Sequence, residues 1–192
     1  NGSKSISMGS MDGPTRIVLD DCNVAISSSG ADSVGIGSFY GDVDISSTAN
    51  IEMDASGSIA TGIGSLRDRS GKISVNAGNV KIILHCMEGV GIGSMDGSME
   101  IGLHASEIFV YVEGTDVGGI GNYHGCGKTY VHSGAVKIVL LAANPITLGD
   151  TKGYLEISGG NIFCDLSGAV QALDDGSVSA QSVGLGIDAH AA

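Results

Sequence analysis

One tetrapeptide recurs along this chain at an almost constant spacing. It reads Gly-Ile-Gly-Ser three times and Gly-Ile-Gly-Asn once, beginning at Gly35, Gly62, Gly91 and Gly119. Two weaker copies, at 7–10 and 147–150, extend the series at each end with the same spacing. A repeat of about this length is typical of a solenoid, in which one coil cannot bury its apolar face alone and packs against the next coil.

Each repeat divides into three short segments, the first two with the alternating pattern of β-strands. Ile17 and Leu19 occupy alternate positions in the first segment, and Val80, Ile82 and Leu84 do so in the second. The third segment carries the tetrapeptide. Period two indicates a strand with one buried face. The sequence therefore predicts an all-β fold, a parallel β-solenoid with three strands per coil and about six coils of about 28 residues.

The third segment is predicted to form a flat side of this solenoid. Its apolar residues, which include Val34, Val90 and Ile146 as well as the isoleucine of each tetrapeptide, are expected to face the core. The glycines that flank them would then face outward or turn a corner. Such a side would be nearly free of side chains.

The repeat indicates a single domain over residues 1–192. Regular coils are predicted over about 5–175, and the segment 176–192, where the period is lost, is predicted to be an irregular last coil or a cap. An open solenoid end exposes unpaired strand edges. We therefore expect terminal segments, flanking sequence or a partner to cover the ends.

A ladder of alternating charge supports stacking in register. Outward positions of the first segment, each one repeat from the next, carry basic and acidic side chains in strict alternation: Arg16, Asp44, Lys72, Glu100, Lys128 and Glu156. Neighbouring strands of a parallel sheet would place each charge beside two opposite ones. A slip by one coil would bring like charges together, so we interpret the ladder as structural.

Composition and charge exclude several classes of function. The 32 Gly lack the Gly-X-Y period of collagen, and the net charge of −12 disfavours nucleic acid and anionic membranes as partners. The sequence contains no apolar run long enough to predict a membrane span. The four Cys have no CxxC spacing, so scattered thiols are favoured over a metal site or a disulfide framework.

The outward side of the second segment carries the best candidate for a binding surface. Ile83, Tyr111 and Val139 are predicted to share one outward column. Phe109 and Phe163 are predicted to share the next column, together with Glu52, Lys81 and Lys137. An exposed apolar and aromatic strip is usually covered or used for binding. It could stack on a sugar ring, or it could pack against another domain, a second copy or a terminal segment.

Metal sites are only weakly indicated. His104 and His132 lie one repeat apart at the same outward phase and could share a divalent metal. Calcium is a further candidate at the turns that carry Asp12 and Asp96, because hard cations prefer carboxylate ligands. Equivalent turns carry side chains of mixed character, so no metal or cofactor is assigned.

With this period and this tetrapeptide, the chain resembles the glycine-rich repeat regions of secreted or surface-anchored proteins of gut Firmicutes. It is also similar to the polysaccharide-binding, pectate-lyase-like β-helix proteins of that group. The resemblance covers roughly residues 5–175. It implies a β-solenoid that is extracellular or attached to the cell surface.

We therefore expect a non-catalytic structural or adhesive module of a bacterial surface protein. Its partner would be a polysaccharide or a host or cell-surface glycan, or flanking domains of the parent protein. The alternative is a fragment of a polysaccharide lyase or hydrolase. A lyase on this scaffold needs a basic residue beside clustered carboxylates, and the only close arginines, Arg67 and Arg69, lack such a cluster.

Overall fold

The computed structural model describes residues 4–67, 70–76, 78–104, 106–150, 152–166, 170–172, 178–180 and 183–186. These residues form strands and turns, without a helix among them. The strands are β1 (Lys4–Ser10), β2 (Thr15–Leu19), β3 (Asn23–Ser29), β4 (Asp32–Ser38), β5 (Val43–Ser47), β6 (Asn50–Ser65), β7 (Ser70–Val75), β8 (Asn79–Ser94), β9 (Ser98–Leu103), β10 (Ser106–Asn122), β11 (Lys128–Val131), β12 (Gly134–Gly149), β13 (Tyr154–Ile157), β14 (Asn161–Asp165), β15 (Val170–Ala172), β16 (Val178–Ala180) and β17 (Val183–Gly186).

Two parallel sheets build the predicted β-solenoid of about six coils. The first face is a six-stranded sheet in the order β2-β5-β7-β9-β11-β13. The larger sheet has the order β1-β4-β6-β8-β10-β12-β14, with β3 also paired to β6 and β17 to β12. Paired positions lie one repeat apart in the sequence, as in Ile73 beside Ile101. The predicted stacking of repeats is therefore confirmed.

The second and third segments are separate strands only at the two ends of the solenoid, as β3 and β4 and as β14 and β17. β3 and β4 pair with successive parts of β6, which runs without a break through both the second and third segments. β8, β10 and β12 are continuous in the same way and are 16 or 17 residues long. Continuous hydrogen bonding around this corner makes the second and third segments one bent sheet.

The core is a set of stacked apolar columns inside the coil. Ile17, Ile45, Ile73 and Ile101 stack in the first face, as paired residues of successive strands. A second column crosses the second segment and contains Met53, Ile82, Val110 and Ile138, all fully buried. Each fully buried aliphatic side chain contributes about 1.5–3 kcal/mol of transfer free energy, before the entropy of ordering is subtracted.

The third segment does not form the bare flat side that the sequence predicts. The first glycine of each tetrapeptide faces the core: a Cβ on Gly35 would lie 2.3 Å from Met53 Sδ, and one on Gly91 would lie 2.3 Å from Val110 Cγ1. The isoleucine that follows it, such as Ile36, also belongs to the core. Two consecutive residues face inward because the third residue, Gly37, has φ 140° and reverses the alternation.

The prediction that Val34, Val90 and Ile146 face the core is therefore wrong. Val34 packs with Phe39 and Leu66, and Val90 packs with Met95 and Tyr123, in two clusters separate from the main core. Ile146 packs against the second of these clusters. The apolar residue that follows each tetrapeptide folds back over the outside of the third segment and covers it. An apolar residue recurs at that place in the sequence and could have revealed this layer.

The serines that end two of the tetrapeptides close the turns that follow them. The Oγ atoms of Ser38 and Ser94 are buried and accept hydrogen bonds from the backbone N–H of Gly41 and Gly97, each at 2.7 Å. Asn122 instead binds β9, where its Oδ1 accepts from the backbone N–H of Met99 at 3.0 Å. These side chains satisfy turn backbone that the solenoid buries.

Asp150 occupies the same position one coil later and is a buried carboxyl group. Its Oδ1 accepts hydrogen bonds from the backbone and side-chain nitrogens of Asn122. Burial nevertheless raises the pKa of Asp150 from 3.8 to about 6. Its other oxygen, Oδ2, has no hydrogen-bond partner within the described part of the chain.

We expect Asp150→Asn to stabilise the protein at neutral pH and not at acidic pH. Because the folded-state pKa is raised, neutral Asp150 contributes to the free energy of unfolding. This contribution is fully present below pH 3.8 and is lost as pH rises through about 6. Asn stays neutral, so its advantage should grow to about 1–3 kcal/mol at pH 8. Urea unfolding at about pH 3.5 and pH 8 measures this difference. An equal effect at both pH values would contradict a buried, titrating carboxyl group.

Candidate binding groove on the second face

The charge ladder is in register over five of its six predicted members. Arg16, Asp44, Lys72, Glu100 and Lys128 lie beside one another on successive strands. Arg16 Nε lies 3.6 Å from Asp44 Oδ2, and Lys72 Nζ lies 2.8 Å from Glu100 Oε1. The hydrogen bond from Lys72 lowers the pKa of Glu100. These side chains are exposed, so the ladder specifies register more than it adds stability.

Glu156 is not the sixth member, which corrects the prediction. In the last pair of strands Lys128 lies opposite Tyr154, and Glu156 lies opposite Tyr130. The turn that leads into β13 is shorter than the turn that leads into β11, so Tyr154 arrives at the place where the repeat predicts Glu156. Tyr154 instead donates a hydrogen bond to Glu156 at 3.0 Å.

The second face is the outward side of the second segments, in β3, β14 and the first halves of β6, β8, β10 and β12. It carries the aromatic strip in the two predicted columns. Tyr111 lies between Ile83 and Val139 on neighbouring strands, and all three are half-buried. Phe109 lies between Lys81 and Lys137 in the next column.

Lys137 in turn lies opposite Phe163. The register of β8, β10, β12 and β14 therefore brings together all four predicted ligand-binding residues, Ile83, Phe109, Tyr111 and Phe163.

Phe109, Lys137 and Phe163 form one unit on three successive strands. The Nζ atom of Lys137 lies 5.7 Å from the ring centroids of both Phe109 and Phe163. Phe163 is 55% exposed, and Phe109 is half-buried. None of the salt bridges found in the described part of the chain involves Lys137, whereas Lys81 pairs with Glu52 at 2.7 Å. Attraction between the ammonium group and the rings positions this unit.

An open groove runs beside this unit. It has a volume of about 470 Å³ and crosses β8, β10, β12 and β14. Its lining is mainly apolar and consists of Asn79, Val80, Lys81, Glu107, Ile108, Phe109, Ala135, Val136, Lys137, Asn161, Ile162 and Phe163. A second stretch of about 340 Å³ shares Asn79 and Lys81 with it and continues across β3 and β6. The groove thus follows the solenoid axis.

The wall opposite the rings consists of asparagine side chains at one end and of Glu107 and Ala135 at the other. Asn50 Nδ2 donates to Asn23 Oδ1 at 3.0 Å, and Asn50 Oδ1 accepts from the backbone N–H of Asn79 at 3.0 Å. This amide ladder satisfies the wall internally. Glu107 and Ala135 replace Asn at the next two positions, where the groove is most apolar.

Tyr111 is held in place beside Phe109 by its own neighbours. Its hydroxyl donates to Glu113 Oε2 at 3.3 Å, and the ring lies edge-on to His85 at a centroid distance of 5.9 Å. His85 Nδ1 also contacts Glu113 Oε2, at 3.1 Å. Burial and the nearby carboxylate raise the pKa of Tyr111. The ring therefore offers an apolar surface with a fixed orientation.

The two predicted metal candidates lie on the first face. The rings of His104 and His132 stack with centroids 4.5 Å apart, and His132 Nδ1 lies 2.9 Å from Ser158 Oγ. Burial, together with His132 and Lys72, lowers the pKa of His104. Among the described residues no group of three or more His, Cys, Asp or Glu side chains could hold a metal ion. The stacked pair offers at most two ligands.

Arg67 and the four cysteines are absent from the lining of the groove. Arg67 follows β6, whereas Arg69 lies outside the described residues. The four cysteines are free thiols, and burial raises the pKa of Cys86 to about 12, which keeps it protonated. No helix that could span a membrane is found in the described ranges.

A search found no matching family model, curated protein or solved structure for this chain.

Proposed function

We propose that this chain is a non-catalytic binding module that recognises carbohydrate through the groove on its second face. The observation that carries the proposal is the continuous groove itself, with Phe109, Lys137 and Phe163 along one wall. It would act as a structural or adhesive part of an extracellular or cell-surface protein.

The chemistry of the groove supports a sugar ligand. A sugar ring has apolar C–H faces and a rim of hydroxyl groups. Phe109 and Phe163 supply apolar surface, and Lys137 and Asn161 supply hydrogen-bond donors next to them. Sites for small ligands usually combine a largely apolar lining with a few polar groups that set orientation. An exposed apolar strip of this kind also favours binding over simple solvation.

The same lining favours binding over cleavage. Hydrolysis of a glycosidic bond generally uses two carboxyl groups that flank the bond. The larger stretch of the groove is lined by one carboxylate, Glu107. Glu52, in the smaller stretch, is engaged by Lys81, and that contact lowers its pKa.

The test is a glycan-array screen of the chain and of a Phe109→Ala, Tyr111→Ala double variant, with calcium and with a chelator. We expect the variant to lose binding by about tenfold or more, because it removes Phe109 from the groove wall and the neighbouring ring of Tyr111 on the same face. Detection of the protein in surface extracts of the producing cells tests the extracellular assignment.

A Tyr130→Ala, Tyr154→Ala variant removes two aromatic rings from the first face and serves as the matched control. It should bind as the unmodified chain does, and circular dichroism should show the same β-sheet signal for all three proteins. If the two double variants bound glycan equally well, the proposal would be contradicted. It would also be contradicted if the unmodified chain bound no glycan. A change of oligomeric state in place of binding would identify the strip as a protein interface.

A further inference from the structure

The direction of the groove restricts the shape of its ligand. The groove crosses the strands and is lined by equivalent positions of successive coils. Neighbouring strands of a sheet lie about 4.8 Å apart, so the lining repeats at that step along the solenoid axis. A sugar ring in an extended chain advances by a similar length. An extended chain laid along the axis would therefore place about one ring over each coil.

The side chains along one wall repeat at twice this step. Phe109 on β10 and Phe163 on β14 are separated by Lys137 on β12, and Lys81 on β8 precedes them. Equivalent apolar surface thus returns every two coils, or about 10 Å. In a two-fold β-1,4-linked chain successive rings are turned by half a revolution. Alternate rings then present the same face, with the period that Phe109 and Phe163 require.

The charges in and around the groove favour a neutral chain. Lys81 is paired with Glu52, and Glu107 in the same lining offsets the charge of Lys137. The chain as a whole carries a net charge of −12, which would repel a polyanion as it approached.

We infer that the groove takes a linear, neutral, β-1,4-linked polysaccharide in an extended two-fold conformation, lying parallel to the solenoid axis. This inference rests on the proposed carbohydrate-binding function and specifies its ligand class. A ligand long enough to contact both Phe109 and Phe163 needs at least three rings.

Calorimetry with cellooligosaccharides of two to six glucose units tests the inference. We expect affinity to rise by about tenfold or more between the disaccharide and the tetrasaccharide, when the second phenylalanine is reached, and by less between the tetrasaccharide and the hexasaccharide. Maltohexaose, which is α-1,4-linked and curved, should bind at least about tenfold more weakly than cellohexaose.

Phe163→Ala should abolish the gain between two and four units while leaving binding of the disaccharide at Phe109 unchanged. Ile157→Ala removes an exposed apolar side chain from the first face of the same coil and should preserve the gain. The retained gain in this control separates loss of a contact from damage to the last coil.

The outcomes separate this inference from the function on which it rests. Binding that does not depend on chain length, that prefers maltohexaose, or that is strongest for a polyanionic glycan would overturn the inference and leave carbohydrate binding standing. An array on which no glycan binds would overturn both.

Discussion

Replacing Gly93 by Ala should destabilise the solenoid by about 3–5 kcal/mol. Gly93 has φ 135°, a conformation that L side chains rarely adopt, and a Cβ there would lie 1.8 Å from the carbonyl oxygen of Gly121 in the next coil. The obstacle is backbone, so no rotamer change relieves it. Either the two coils separate at this point or the strand loses its bend.

Chemical denaturation and amide hydrogen exchange measure the effect. Exchange should accelerate first in β8 and β10, because a repeat protein transmits damage mainly to neighbouring coils. Gly102→Ala, in β9 of the next coil, is the control. A Cβ on Gly102 would lie 3.2 Å from His104 Nε2 and 4.0 Å from the carbonyl oxygen of Ile73. A small shift of the His104 imidazole would accommodate this methyl group. Equal losses in the two variants would contradict the assigned backbone geometry.

Ile82→Ala should cost about 2–5 kcal/mol, the usual range for a large core residue. Ile82 is fully buried, and it lies between Met53 and Val110 in the neighbouring coils. Both neighbours are held by their own strands, so the cavity cannot close fully. Thermal or urea unfolding gives the change in the free energy of unfolding.

Ile83 provides the matched comparison because it is adjacent in sequence and faces outward. Ile83→Ala should cost less than about 1 kcal/mol, since the side chain is only half-buried. The same variant reports on the aromatic strip of the second face, where a loss of glycan affinity without loss of stability is expected. Similar destabilisation by both variants would mean that the period-two assignment of this strand is wrong.

The aromatic strip could be predicted from the sequence because its strands alternate without interruption. Ile83, Phe109, Tyr111 and Phe163 fall at outward positions of the second segment, and counting by the repeat length places them on neighbouring strands. Such counting fails when a turn changes length. The shorter turn before β13 moved Glu156 beside Tyr130, and nothing in the alternation of charge revealed that shift.

The groove itself was outside the reach of sequence reasoning. Pattern alone shows which side chains face outward, but it does not show that Lys137 Nζ contacts both rings or that Glu107 and Ala135 line the same groove as these rings. These features depend on rotamers and on the distance between two columns.

The repeat by itself determined the β-solenoid, its coil length, the in-register stacking and the inward columns of the first and second segments. These follow from hydrophobic periodicity, which is a property of the sequence. The tertiary structure decided which residues of the third segment face the core. Glycine permits either sign of φ, so the pattern there does not set whether a side chain faces inward or outward. Only the packed coils show that Gly37, Gly64, Gly93 and Gly121 adopt positive φ. Those angles place the preceding glycine and isoleucine inward and bring Phe39, Leu66, Met95 and Tyr123 over the outside, because each coil must bury its apolar surface against the next.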